Sequence, residues 1–168
     1  TYPSRPLVEP AKIDGASIPQ LLENLKLPEY RSRYRTRREL RGRNADEVVK
    51  ATLKWVDALP KGADERFKLE ALWVTWGAKR TSFALLRKLL DSSDHRIRSA
   101  AVRVLRFNMD RNPFFANRKK LLLKAADDLH GRVRMEAVVA ASFVERKTGL
   151  EILTAAESNE INKQYKST

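Results

Sequence analysis

One phrase, Arg132-Val133-Arg134-Met135-Glu136-Ala137-Val138-Val139-Ala140-Ala141, recurs three times upstream in the same chain, and this constrains the fold more than any other feature. The copies are Arg96-Ile97-Arg98-Ser99-Ala100-Ala101-Val102-Arg103-Val104-Leu105, then Arg66-Phe67-Lys68-Leu69-Glu70-Ala71-Leu72-Trp73-Val74, then the most degenerate, Arg33-Tyr34-Arg35-Thr36-Arg37-Arg38-Glu39-Leu40. Their leading arginines lie 33, 30 and 36 residues apart. Each phrase reads basic, apolar, basic and, except in the first, a small residue four after the apolar one, the spacing of one helical turn. Self-similarity at such a period points to stacked helical hairpins.

Caps and breakers between the phrases divide the chain into helices. Ser17 caps a helix over 17–25 whose Leu21, Leu22 and Leu25 form an apolar stripe, and Pro28 ends that hairpin turn. Its partner spans 29–41 and stops at Gly42. Asn44 and Glu47 form a capping pair for a helix over 44–58, with Val48, Leu53 and Val56 inward and Pro60-Lys61-Gly62 as the turn. The spacing then predicts helices over 64–76, from Thr81 or Ser82 through Leu90, over 96–107, over 113–127, over 132–144 and over 148–157. No alternating β-branched run competes. The fold class is therefore all-α. A hairpin cannot bury its apolar face alone, and stacking makes an α-solenoid of about four and a half repeats, the last hairpin lacking its second helix. Residues 1–16, with Pro3, Pro6 and Pro10, read as an extended linker or strap, 17–157 as the helical array, and 158–168 as a polar tail or truncated fifth hairpin.

Composition limits the chemistry. There is no cysteine, hence no disulfide, thiolate metal site or Cys-x-x-Cys-His haem attachment within these residues. No run approaches a membrane span, and no targeting signal is visible within the segment. Thirty-four basic against 21 acidic residues give a net charge of +13, a field that attracts polyanions, acidic proteins or anionic surfaces without choosing among them.

The pattern of an apolar helix, a polar turn and apolar-basic-x-x-Ala on a second helix resembles the HEAT repeat of the armadillo-type fold. That family usually carries an arginine six residues after a turn aspartate, and Asp128 and Arg134 match this spacing as a structural pair. Residues 67–78, 99–107, 130–143 and 30–43 are similar to the HEAT segment of large membrane-bound dehydrogenase-type, c-type haem-binding multidomain proteins of planctomycetes and related bacteria. The resemblance covers about 16–156. It implies a helical scaffold from an exported, periplasmic electron-transfer protein, with no cofactor in this segment and haem c on other modules of a longer chain.

Two groups of residues stand out as candidate surfaces. Arg31, Arg33, Arg35, Arg37, Arg38 and Arg41 form a basic patch with Tyr30 and Tyr34 interleaved. It reads either as an anion-binding face or as the solvated outer side of a terminal repeat. In the register of the phrases, Arg38 takes the place of Ala71, Ala101 and Ala137. Trp73 corresponds to Arg103 and Trp76 to Arg106, so these four are expected at least partly accessible as a contact surface for a neighbouring module or acidic partner. The alternative is that the tryptophans are core. His95 and His130 fall in successive turns, a hairpin spacing of about 10 Å apart, too far for one metal. No catalytic, metal or cofactor-binding residue is singled out. The leading reading is a non-enzymatic scaffold binding a protein or neighbouring domains of its own polypeptide. The rival is a basic HEAT-like nucleic-acid-binding module or DNA glycosylase, with Trp55, Trp73 and Trp76 as aromatic residues and binding that is weak and nonspecific.

Overall fold

The computed structural model describes residues 9–109 and 117–158. Among them the chain is all-helical, in the order α1 (Ile18–Asn24), α2 (Tyr30–Arg41), α3 (Ala45–Asp57), α4 (Arg66–Gly77), α5 (Phe83–Leu90), α6 (His95–Arg106), α7 (Arg118–Ala126), α8 (Gly131–Ala141) and α9 (Arg146–Ser158). The expected helix start near Asn112-Pro113 falls outside the described residues, as do 1–8 and the tail 159–168. No helix among the described residues is long and apolar enough to cross a membrane.

The caps read from sequence form. Ser17 Oγ accepts the Gln20 amide while Gln20 Oε1 accepts the Ser17 amide, closing a capping box on α1. Asn44 Oδ1 accepts the Asp46 and Glu47 amides at the start of α3. Gly62, with φ of +86°, makes the turn between α3 and α4 in a conformation that a Cβ would disfavour.

The chain divides into two compact units, Thr1–Thr81 and Ser82–Thr168. In the first, α1 pairs with α2 and α3 with α4, while α1 also lies on α3 and α2 on α4. Leu21, Leu22, Leu25, Leu40, Val48 and Val74 build the core, closed over by Ile13 and Ala16 from the segment before α1. That segment is thus anchored at its C-terminal end, where the Asn24 side chain also donates to the Lys12 carbonyl at 2.8 Å. On α3, Val48 and Thr52 face the core, whereas Leu53, expected inward, is exposed. Thr52 is admitted because its hydroxyl donates to the Val48 carbonyl at 2.7 Å.

In the second unit, α5 pairs with α6, α7 with α8, α6 lies on α8, and α9 packs on both α7 and α8. Leu85, Leu86, Leu89, Leu105, Leu122 and Ile152 are fully or nearly fully enclosed. On α9, Ile152 faces in while Leu150 and Leu153 face solvent. Gly149 allows α9 to approach closely, because a Cβ there would sit 2.9 Å from the Ala141 carbonyl oxygen.

Ala71, Ala101 and Ala137 are completely buried at helix contacts, as the phrase predicts. In α2, however, the buried counterpart is Thr36, also 0% exposed, and Arg38 faces solvent. The first phrase is therefore out of register by two residues. The contacts of the basic residues show why. Arg98 donates to the carbonyls of Ser92 and Ser93, and Arg134 to those of Asp128 and Leu129. Arg33 makes the same bonds six and five residues back, to Leu27 and Pro28, so it, and not Arg35, is the counterpart of Arg98 and Arg134.

Candidate interaction surfaces

The buried ends of the basic side chains are claimed by carboxylates on the next hairpin of the same unit. Within the first unit Glu70 on α4 is 1% exposed and accepts both Arg33 Nε, at 2.8 Å, and the Arg37 guanidinium. Within the second, Glu136 on α8 accepts Arg103, and Asp128 accepts Arg98 at two points, 2.7 and 2.8 Å, in a fork geometry. These links join residues 30 to 37 apart in sequence. Burial pushes the Asp128 carboxyl up, but the hydrogen bond from Arg98, then that from the His130 amide and the neighbouring charges, outweigh it and leave the group below its ordinary value. The Asp128 and Arg134 pair expected from the spacing does form, but through the Asp128 main-chain carbonyl, at 2.8 Å; its carboxylate serves Arg98.

Trp73 and Trp76 belong to the first unit, Arg103 and Arg106 to the second. Each tryptophan is half-buried. The Arg37 guanidinium carbon lies 5.0 Å from the Trp73 ring centre, so this ring backs the Glu70 network instead of standing free. Arg103 is turned to Glu136, and Arg106 lies 4.6 and 5.4 Å from the rings of Phe107 and Phe143. Both arginines thus have work inside their own unit. Arg103 keeps more than half of its side chain exposed while it serves the buried Glu136, so the two roles do not exclude each other.

The six candidate arginines of α2 fall into two sets. Arg33 and Arg37 point inward to Glu70. Arg31, Arg35, Arg38 and Arg41 are exposed, along with Tyr30 and Tyr34. The two tyrosine rings stack with centres 6.3 Å apart, and the guanidinium groups of Arg33 and Arg37 lie 5.9 and 5.7 Å from the Tyr30 ring. Beside this face, Arg35 and Arg38 line a shallow groove with Lys12, Asp14 and Glu39. Glu39 is itself paired with Arg43 at 2.6 Å.

The histidines correct a sequence-based distance. The rings of His95 and His130 stack with centres 3.5 Å apart and planes 10° from parallel, far closer than the hairpin spacing suggested. Both hang from turns at one end of their helices, and side-chain reach closes the gap between backbones. Their nitrogen lone pairs lie in nearly parallel planes and do not converge on one point at metal-ligand distance. His130 Nδ1 instead accepts the Arg132 amide at 3.2 Å and caps α8. Desolvation, reinforced by the neighbouring His130 charge, moves His95 below its ordinary value, against the pull of Asp94. No group of three or more His, Cys, Asp or Glu among the described residues is arranged to hold a metal ion.

No protein-family model matches the chain, and comparison with curated proteins and with solved structures likewise finds no match.

Proposed function

We propose that this segment is a non-catalytic scaffold built of HEAT-like, armadillo-type hairpins. In this reading they form an α-solenoid of about four and a half repeats that holds a partner protein or neighbouring domains of its own polypeptide. The observation that carries the reading is the recurrence of one contact. Arg33, Arg98 and Arg134, on three different second helices, each donate to the carbonyls six and five residues earlier. A repeated structural unit produces such recurrence, whereas an irregular bundle has no reason to. The full burial of Thr36, Ala71, Ala101 and Ala137 at one register supports it further.

On the resemblance of 67–78 and its companions, the parent would be a larger exported, periplasmic dehydrogenase-like protein, with haem c and catalysis on other modules. Extending the reading frame tests this parentage. A signal peptide and a Cys-x-x-Cys-His motif are expected, and a frame with neither removes the redox assignment. The scaffold role is tested separately by titrating the purified chain with the modules that adjoin it in the full protein. Saturable association is expected, and its absence for every adjoining module overturns the interdomain role.

A further inference from the structure

We infer that the exposed face of α2 is a binding site for single-stranded nucleic acid, with arginines on the phosphates and Tyr30 and Tyr34 under the bases. This does not depend on the scaffold reading. At 100° per residue, Tyr30, Arg41, Tyr34, Arg38, Arg31 and Arg35 follow one another around an arc of roughly 140°. All six are exposed, and no acid interrupts them on that arc. Among the described residues Arg31, Arg35 and Arg38 take part in no ion pair or hydrogen bond, while the two other arginines of the helix body, Arg33 and Arg37, are consumed by Glu70. The helix thus sorts its arginines: Arg33 and Arg37 are neutralised inward, while Arg31, Arg35 and Arg38 form no ion pair among the described residues, although Asp14 and Glu39 line the groove beside Arg35 and Arg38.

Spacing and chemistry select the ligand. Successive arginines on this face are three or four residues apart, about 4.5–6 Å along the axis, a step that an extended phosphodiester backbone can follow. Arginine offers a planar fork suited to phosphate oxygens. An acidic polypeptide would also satisfy the charge, but it gives no role to the tyrosines. The two residues are 61% and 47% exposed, their rings stack on each other, and Tyr30 is backed by two guanidinium groups that are themselves fixed by Glu70. A fixed, exposed aromatic pair beside free arginines is a platform for unpaired bases, which a duplex keeps stacked internally. The net charge of +13 adds long-range attraction but no selectivity.

The test is an anisotropy titration of the full chain with a labelled oligothymidylate, a duplex of equal length, and polyglutamate as competitor. Wild type should prefer the single strand, with a log–log salt slope of about −2 to −3 from three or four neutralised phosphates. Tyr30→Ala with Tyr34→Ala should weaken binding by on the order of tenfold or more. Tyr30→Phe with Tyr34→Phe should retain it, which separates stacking from any loss of fold. Arg31→Gln with Arg35→Gln and Arg38→Gln should remove most binding, while Lys88→Gln with Lys120→Gln and Lys147→Gln, an equal charge change elsewhere, should leave it nearly intact. The inference is overturned if both triple variants lose equally, if the alanine pair binds like wild type, or if duplex binds as well as single strand. Displacement of the oligonucleotide by polyglutamate at matched charge would instead assign the face to an acidic protein.

Discussion

Removing the Glu70 carboxylate should cost the first unit a large part of its stability. Glu70 is 1% exposed, and its partners Arg33 and Arg37 have side chains only 12% and 13% exposed. Glu70→Ala therefore leaves two guanidinium groups facing each other with no counter-charge and little water. Breaking a buried pair by deleting one partner typically costs about 3–5 kcal/mol. A unit of this size has a total stability on the order of 4–12 kcal/mol, so the variant should be close to unfolding. The melting temperature should fall by on the order of 12 °C or more. Arg37→Ala should cost less, because Glu70 keeps the 2.8 Å bond from Arg33 Nε. The assay is convenient because all three tryptophans, Trp55, Trp73 and Trp76, lie in the first unit. Tryptophan fluorescence in a urea titration of the intact chain thus reports this unit alone. A loss of less than about 1 kcal/mol for Glu70→Ala would show that the arginines are as well served by solvent, and the reasoning from burial would fail.

Arg38→Ala should leave urea stability unchanged within about 0.5 kcal/mol, whereas Thr36→Leu should lose about 1–3 kcal/mol by overpacking; the reverse order would restore the sequence-based register. Gly149→Ala, stabilising in an open helix, should here lower the melting point of the second unit, since its Cβ would meet the Ala141 carbonyl oxygen at 2.9 Å; a gain in a circular dichroism melt would refute that approach. Because the Asp128 carboxyl is lowered in the folded state, its contribution is present above the ordinary aspartate value of 3.8 and is lost as pH falls from there through the lower folded value. Asp128→Asn should consequently flatten the acid limb of the stability curve below about pH 4, and an unchanged slope would remove Asp128 from the acid response.

The helices were legible because each carries its own evidence: an apolar stripe at helical spacing, a capping side chain, and a proline or glycine at the break. Leu21, Leu22 and Leu25 are buried as their spacing requires. The first hairpin misled because Arg31, Arg33, Arg35 and Arg37 make a basic-x-basic pattern in several registers at once. The neglected signal was the small residue. Starting the phrase at Arg31 places Thr36 on the position of Ala71, Ala101 and Ala137, while starting it at Arg33 places Arg38 there. The ion pairs that link one hairpin to the next were not legible, since partners 30 or more residues apart leave no local trace. For the same reason the partners of Arg103 and Arg106 within their own unit, Glu136, Phe107 and Phe143, could not be read from the sequence. The stacked histidines were missed because backbone spacing was taken for side-chain spacing.

Asp128 belongs to two hairpins simultaneously. Its carboxylate holds Arg98 from the preceding hairpin, while its main-chain carbonyl holds Arg134 from its own. Opening the turn between α7 and α8 thus withdraws one partner from α6 as well, which couples the starts of the two helices. In hydrogen exchange, amides such as Ile97, bonded to the Asp94 carbonyl, and Val133, bonded to the His130 carbonyl, should open together with one free energy. One aspartate that no single hairpin owns thus ties the opening of one turn to that of the next.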